Sequence, residues 1–147
     1  MHIPTGTLVM VADGTKMLLL RNDGDVPCPV LNTLAHEEIV NLPTHSQGTD
    51  APGRSQSSMG DRSSALDNVD WHRQTEEHFA AHVAAALDRA ATPGDSAIVV
   101  IAPPRMLGEL RKHYGAGVKH RLQAEITKDL AGHTTDHIIE VIHDWTV

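Results

Sequence analysis

The chain has 147 residues, 40% of them hydrophobic, and carries a formal net charge of −7. This length fits one domain with its own core, and we expect a single domain over residues 1–147. The acidic balance disfavours indiscriminate binding to nucleic acids, because proteins that bind polyanions usually have a basic surface, although it leaves room for a local basic site. The sole cysteine, Cys28, excludes an internal disulfide and a cysteine-rich zinc site, and we expect a free exposed thiol.

The sequence shows no targeting or membrane segment. The first residues, MHIPTGTLVMVADGTK, have no basic start and no long apolar run. No stretch of the chain approaches the ~20 apolar residues of a membrane helix. We therefore expect a cytoplasmic protein that does not contact membranes.

The first predicted elements are strands. The segment TLVMVADGTKMLLLRNDGDVP contains two apolar runs joined at Asp13-Gly14, a dipeptide that is typical of hairpin turns. We expect a third strand over roughly Val30 to Leu42, which would complete an antiparallel meander. The sequence LAHEEIVNL within this third segment is also compatible with a helical turn.

A long polar stretch, residues 44–68, follows the third strand. Its sequence DAPGRSQSSMGDRSSALDN contains two bulky apolar side chains, those of Met59 and Leu66. The stretch lies within the order of strands and helices, so we interpret it as a loop or insertion and not as a linker between domains. The residues alone are equally compatible with a functional loop and with a surface loop that binds nothing.

Helices and strands alternate after this loop. The segment DWHRQTEEHFAAHVAAALDRA predicts a helix capped by Asn68 or Asp70, SAIVVIAPP a buried strand, RMLGELRKHY a second helix ended by Gly115 and Gly117, and VKHRLQAEI an alternating strand. A last helix begins near Thr134 or Thr135. The first helix repeats an apolar stripe every four residues: Trp71, Thr75, Phe79, Val83 and Leu87.

This order of elements predicts the α/β class. We expect a mixed five-stranded sheet in which a β-meander is followed by βαβα, because strand–helix–strand units form parallel right-handed crossovers. The order matches a ribonuclease-H-like topology. The central strand residues Val99, Val100 and Ile101 should be among the most buried of the chain.

Two groups of residues are candidates for metal ligands. Asp13 and Asp129 could belong to a two-metal carboxylate site, but a turn and a loop already account for them. His78 and His82 lie one helical turn apart, yet residue 79 is Phe, so the general base of an H-E-x-x-H site is absent. We expect both histidines to flank the apolar stripe at its boundary with solvent, and we predict no metal site and no cofactor.

The whole chain resembles a bacterial family called host attachment protein, or protein required for attachment to host cells. The matching segments occur in family order: VADGTKMLLLRNDGD, DAPGRSQSS, EEHFAAHVAAAL, IAPPRMLGELRKH and AEITKDLAGHT. The family name is a genetic label and gives no biochemical mechanism.

The layout is also similar, more distantly, to the central domain of archaeal and eukaryotic class-one peptide release factors and of Pelota-type rescue factors. In release factors the long loop carries Gly-Gly-Gln, whose glutamine enters the peptidyl transferase centre of the ribosome and helps water attack peptidyl-tRNA. By position, this element falls in PGRSQSS, so Gln56 corresponds to that glutamine. Arg54 and Ser55 replace the two glycines, and neither freely adopts the positive φ angles that are open to glycine.

This resemblance implies a mobile functional loop of release-factor type that has diverged and is not catalytic. We predict binding to the ribosome, to RNA or to a protein partner. The predicted binding residues are Gly53, Arg54, Ser55, Gln56, Ser57 and Arg62. One alternative is a peptidyl-tRNA hydrolase in which Gln56 orients water, and another is an attachment factor that acts at the cell envelope.

Overall fold

The strands and helices follow one another in nearly the predicted order. A computed structural model describes residues 1–39, 75–92 and 94–146. The strands are β1 (Leu8–Ala12), β2 (Lys16–Asn22), β3 (Leu31–Glu38), β4 (Ile98–Ala102) and β5 (Leu122–Thr127). The helices are α1 (residues 75–91), α2 (Pro104–Arg111), α3 (Ala116–Arg121) and α4 (Thr135–Asp144).

The five strands form one mixed sheet in the order β3-β2-β1-β4-β5. The β1–β2 and β2–β3 pairs are antiparallel, whereas the β1–β4 and β4–β5 pairs are parallel. This confirms the predicted α/β class and the meander. Since β2 alone of the five runs the other way, the last residues of the other four strands meet at one end of the sheet. We call it the carboxyl end and its opposite the amino end; it is marked by Ala12, Glu38, Ala102 and Thr127.

The hairpin turn between β1 and β2 is organised by the Asp13 side chain. Its Oδ1 accepts hydrogen bonds from the backbone N–H groups of Thr15 and Lys16, each at 2.7 Å. The carboxylate thus provides a hydrogen-bond acceptor for two backbone N–H groups of the turn. The prediction that Asp13 serves the turn is therefore confirmed.

A buried asparagine organises the next turn, between β2 and β3. Asn22 is fully buried, and its Nδ2 donates to the carbonyl oxygen of Ile3 at 3.1 Å. Its Oδ1 accepts from the N–H groups of Gly24 and Val30, both at 2.9 Å. Both polar atoms of the buried Asn22 side chain have hydrogen-bond partners. The side chain therefore stabilises the turn without leaving a buried polar group unsatisfied. The sequence Asn22-Asp23-Gly24-Asp25 is typical of a turn, but it did not predict that the Asn22 side chain is buried.

The sheet is covered on both faces. Helices α1 and α2 pack on one face and α4 on the other, so β4 is buried on both sides and every one of its residues has an exposed fraction of 0%. This confirms the burial expected for Val99–Ile101. Within the three described ranges, no helix combines the length and the apolar character that crossing a membrane requires.

The described part of the α1 stripe also packs as predicted. Phe79, Val83 and Leu87 are buried against the sheet. Ala80 and Ala84 are buried as well, which the four-residue repeat did not include. Their small side chains let the helix approach the sheet closely. The predicted capping residues of this helix and its first stripe residue lie outside the described residues.

The predicted strand over residues 118–126 is wrong in its first half. Val118–Arg121 belong to the short helix α3, and the strand begins only at Leu122. The alternating pattern misled because Val118 is buried among the side chains under α1 and α2. Arg121 then turns back toward α1, where its guanidinium donates to the carbonyl oxygens of Ala91 and Gly94. These tertiary contacts outweigh the local preference for a strand.

The glycines expected to end the second helix have a different role. Helix α2 ends at Arg111, and Gly115 is the extended residue that precedes α3, with φ −71° and ψ 166°. A Cβ atom at Gly115 would lie 2.6 Å from Oδ1 of Asp88. Glycine leaves room here for the Asp88 side chain of α1, and its φ angle is not an unusual one.

Candidate functional site at the carboxyl end of the sheet

The loop predicted to bind a partner, with its residues from Gly53 to Arg62, lies outside the described residues. The structure does describe the two chain positions that flank it. Ile39, after β3, and Thr75, in α1, line the same cleft of ≈ 410 Å³. The chain therefore leaves the described fold and returns to it at one place, beside the carboxyl end of the sheet. We call this cleft the β3–α1 cleft; its other lining residues are Glu37, Glu38, His78, Phe79 and His82.

One polar contact joins the two walls of the β3–α1 cleft. The Nε2 of His82 lies 2.7 Å from Oε2 of Glu37, and both side chains are about half exposed. The His82 ring also stacks on Phe79, with a centroid distance of 6.3 Å and an interplanar angle of 22°. The contact orients α1 relative to β3, although its exposure to water limits the free energy that it contributes.

A second cleft, the β1–β4 cleft, lies at the carboxyl ends of β1 and β4. The chain runs from β1 to β2 on one side and later returns to β4 on the other side, so this is the point where the strand order reverses. Open α/β sheets bind ligands preferentially at such points. The cleft has a volume of ≈ 170 Å³ and is lined by Gly14, Glu76, Pro103, Arg105, Met106 and Glu109.

An ion pair crosses the rim of the β1–β4 cleft. The Nη1 of Arg105 lies 3.6 Å from Oε2 of Glu76. The Arg105 side chain is 75% exposed, so water screens the pair strongly. Glu76 adjoins Thr75, where the described chain resumes, and Arg105 lies in the first turn of α2. The pair therefore links the return point of the loop to the end of β4.

The charge at the carboxyl end is predominantly negative. The described cations here are Lys16, Arg105 and Lys128. The described carboxylates outnumber them: Asp13, Glu37, Glu38, Glu76, Glu109 and Asp129. This surface by itself does not attract a phosphate backbone.

The chain matches the family model for bacterial archaeo-eukaryotic release factor family 12 over residues 6–142. It belongs to that family. None of the curated proteins compared with the chain matches it. The match confirms the release-factor part of the predicted resemblance. The matched range includes the residues that line both clefts and the residues of the loop.

The histidine and aspartate candidates for metal ligands lie in different parts of the family 12 domain. His78 and His82 are both exposed and line the β3–α1 cleft beside the buried Phe79, which confirms the boundary position expected for them. Asp129 is exposed in the segment between β5 and α4, while Asp13 is engaged in its turn. Within the described ranges, no three His, Cys, Asp or Glu side chains are arranged to hold a metal ion.

The sequence patterns did not indicate three residues that form ion pairs at the two clefts, namely Glu37, Glu76 and Arg105. One signal was available for Arg105, since it follows Pro103-Pro104 directly after a buried strand, and such positions open onto ligand sites in α/β folds. Glu37 and Glu76 gave no comparable signal, because their proximity to His82 and Arg105 arises only when the strands and helices pack.

Proposed function

We propose that this family 12 protein is a cytoplasmic, release-factor-like domain that binds the ribosome through its Gly53–Arg62 loop and does not itself hydrolyse peptidyl-tRNA. The observation that carries this proposal is the position of the two described residues on either side of the loop segment. Both flanking residues, Ile39 and Thr75, lie in one cleft at the carboxyl end of the sheet, in a chain that matches a release-factor family over residues 6–142.

Three loop side chains would supply the polar contacts. Arg54 and Arg62 can each donate paired hydrogen bonds to a phosphate, whereas a lysine ammonium group acts as a point charge. Gln56 adds an amide that can both donate and accept. These cations matter here because the described surface at the carboxyl end is acidic and would repel RNA without them.

The proposal of binding without hydrolysis rests on Arg54 and Ser55. They occupy the positions that glycines hold in the catalytic release-factor loop, and side chains there restrict the backbone next to Gln56. The alternative, a peptidyl-tRNA hydrolase in which Gln56 orients water, needs the same loop in the same ribosomal site. Binding and hydrolysis must therefore be measured separately.

Co-sedimentation with ribosomes from the native host, at moderate salt, tests the binding. We expect the wild-type protein in the ribosomal fraction and at least a fivefold loss when Arg54, Gln56 and Arg62 are all changed to Ala. A matched control, Lys16→Ala with Arg21→Ala, removes two cations outside the loop and should sediment like the wild type. Absence of the wild type from the ribosomal fraction, or unchanged sedimentation of the triple variant, would refute the proposal.

Release of labelled peptide from stalled ribosomes tests the absence of catalysis. We expect no release above background from the wild-type protein. Release that disappears in the Gln56→Ala variant would overturn the non-catalytic assignment and establish the hydrolase alternative.

We further propose that any connection with host-cell attachment is indirect and acts through translation. The motivation is the resemblance to the family that carries the attachment label, together with the release-factor family match over residues 6–142. Cell fractionation with an antibody against the native protein is the test. Recovery from the cytoplasm is expected, whereas recovery from the envelope or the medium would favour a direct role.

A further inference from the structure

β5 (Leu122–Thr127) is an edge strand of the sheet. In the described part of the chain its one strand partner is β4. Its register with β4 shifts near Gln123, so regular pairing begins at Ala124. The outer edge of such a strand presents backbone N–H and C=O groups that no strand of its own sheet uses, and these groups can pair with another strand.

The alternation of the parallel ladder shows which residues of β5 face outward. In a parallel pair, the N–H and C=O groups of one residue face the same neighbouring strand, and those of the next residue face the other way. The N–H of Lys128 donates to the carbonyl oxygen of Ala102, at the end of β4, at 3.1 Å. By this alternation Ile126 also faces β4. The backbone groups of Glu125 and Thr127 therefore face outward.

The side chains at the outward-facing positions do not block this edge. Glu125 lies on the face that α2 covers, and it accepts hydrogen bonds from Arg111 at 3.1 Å and from Tyr114 at 3.2 Å. Thr127 is exposed, and alternation places it on the same face as Glu125. Because Arg111 already neutralises the Glu125 carboxylate, an incoming strand meets a hydroxyl group and an ion pair.

A cleft of ≈ 310 Å³ opens along the outer edge of β5. Residues 122–125 line it together with Arg111 of α2 and Trp145, which follows α4. Because α2 and α4 cover opposite faces of the sheet, a cleft that touches both sides crosses the edge between them. The helices therefore leave this edge open. A second cleft of ≈ 230 Å³ shares Trp145 and is otherwise lined by Lys128, Val141 and Asp144.

We infer that β5 pairs antiparallel with β5 of a second copy of this chain. Antiparallel pairing of identical strands gives a closed two-fold dimer in which one patch serves both copies. The ladder uses the outward-facing groups: each Glu125 exchanges two backbone hydrogen bonds with Thr127 of the second copy, and the two Ile126 residues lie opposite each other. The inference is independent of the proposed binding to ribosomes.

Charge complementarity selects this register among those that align outward-facing residues. Sliding the strands in one direction places Glu125 opposite Glu125 of the second copy. Sliding them in the other direction places Glu125 opposite Asp129. Both alternatives set like charges directly opposite each other, which destabilises an antiparallel pair. With Glu125 opposite Thr127, no like charges are opposed.

The same register gives Lys128 a favourable position. Lys128 follows β5 and comes opposite Ala124 of the second copy. The cleft that Ala124 lines also contains Trp145, so the ammonium group of Lys128 approaches the indole ring of the other copy. Asp144, which precedes Trp145, is exposed and adds a carboxylate of opposite charge.

Asp129 also meets a complementary group. In this register it comes opposite Gln123 of the second copy, in the cleft that contains Arg111. The Arg111 side chain is 58% exposed, so it can approach this second carboxylate. Antiparallel pairing further sets the carboxyl end of one sheet beside the amino end of the other. The two acidic carboxyl ends therefore lie apart.

Sedimentation equilibrium of the full chain, from low micromolar to millimolar concentration, tests the dimer. The test variants change Thr127, because its side chain is exposed and its backbone groups face away from β4. Thr127→Glu places a carboxylate opposite Glu125 of the second copy, whereas Thr127→Lys places an ammonium group there. The matched controls, Thr33→Glu and Thr33→Lys, make the same charge changes on the other edge strand, β3. Thermal unfolding followed by circular dichroism checks that each variant is folded.

We expect a reversible dimer of the wild-type protein. Thr127→Glu should raise its dissociation constant about tenfold, and Thr127→Lys should lower it. The Thr33 variants should dimerise like the wild type. A wild-type protein that stays monomeric at the highest concentration would overturn the inference. Equal effects of the Thr33 and Thr127 variants would also overturn it, since they would come from net charge alone.

Amide hydrogen exchange followed by nuclear magnetic resonance locates the interface. The N–H groups of Glu125 and Thr127 should exchange more slowly as the protein concentration rises, while exchange in β3 should not change. A dimer without this protection uses another surface and contradicts the pairing. If Glu125 and Thr127 become protected only when a different protein is added, the edge binds an extended segment of that protein and the self-pairing is wrong.

Discussion

The two ends of the sheet differ in charge and in packing. The carboxyl end is acidic and contains both the β3–α1 cleft and the β1–β4 cleft. At the amino end the cations of residues 111–121 have carboxylates beside them, and Asp88 of α1 lies close against Gly115. Cations and carboxylates therefore neighbour each other at the amino end, whereas carboxylates outnumber cations at the carboxyl end.

The largest expected effect comes from a charge buried in β4, a strand that is covered on both faces of the sheet. Val100 of β4 has an exposed fraction of 0%, and Val100→Asp would bury a charge without a partner. We expect loss of the folded state, with a cost of about 3–5 kcal/mol or more. Chemical denaturation followed by circular dichroism measures it. Thr33→Asp, on the exposed part of β3, is the control, and a stable Val100→Asp protein would contradict the packing of this sheet.

A pair of glycine substitutions tests the difference in packing directly. At the amino end, Gly115→Ala places a Cβ 2.6 Å from Oδ1 of Asp88 and should destabilise the protein by about 1–3 kcal/mol. At the carboxyl end, Gly14→Ala meets Glu76 only at 3.7 Å and should change stability by less than about 0.5 kcal/mol. Midpoints of urea unfolding measure both.

A second substitution assigns the cause of the Gly115→Ala effect. Adding Asp88→Ala to Gly115→Ala removes the crowded carboxylate and should restore part of the lost stability. If the two glycine variants lose the same stability, or if Asp88→Ala recovers none of the loss, the packing described for the amino end is wrong.

An alkaline titration probes the amino end of the sheet through Tyr114. Burial raises the pKa of Tyr114, and the nearby Glu125 carboxylate raises it further. Since the folded pKa exceeds the unfolded value of about 10, this contribution to stability is complete below pH ~10 and is lost as the pH rises above it. Stability measured between pH 9 and 11 should fall more steeply in the wild type than in Tyr114→Phe. Equal slopes would show that Tyr114 is not buried beside Glu125.

The smallest expected effect lies in the β3–α1 cleft at the carboxyl end. Glu37→Gln removes the charge that faces His82 at 2.7 Å, and both side chains are about half exposed. We expect a loss of less than about 1 kcal/mol at pH 6. A double-mutant cycle with His82→Ala isolates the pair. A coupling well above 1 kcal/mol would mean that this cleft is far more rigid than its exposure suggests.

Local patterns predicted most of the fold because they reflect side-chain periodicity. The short apolar runs of β1, β2 and β4, the four-residue repeat of α1, and Thr134 at the start of α4 are all patterns among residues that are close in the sequence. The period-2 pattern failed at Val118–Arg121, which belong to the six-residue helix Ala116–Arg121. The decisive contacts there connect Arg121 to residues about 30 positions away, beyond the reach of any local pattern.

For the candidate site, too, some features follow from the sequence and others only from the fold. Residue type and order alone predict the α/β class, the position of the polar loop in the chain, and the replacement of two glycines by Arg54 and Ser55. The folded chain is needed to bring Ile39 and Thr75 into one cleft and to gather carboxylates at the carboxyl end of the sheet. The physical reason is that these juxtapositions follow from strand direction and helix packing, which join residues far apart in the chain.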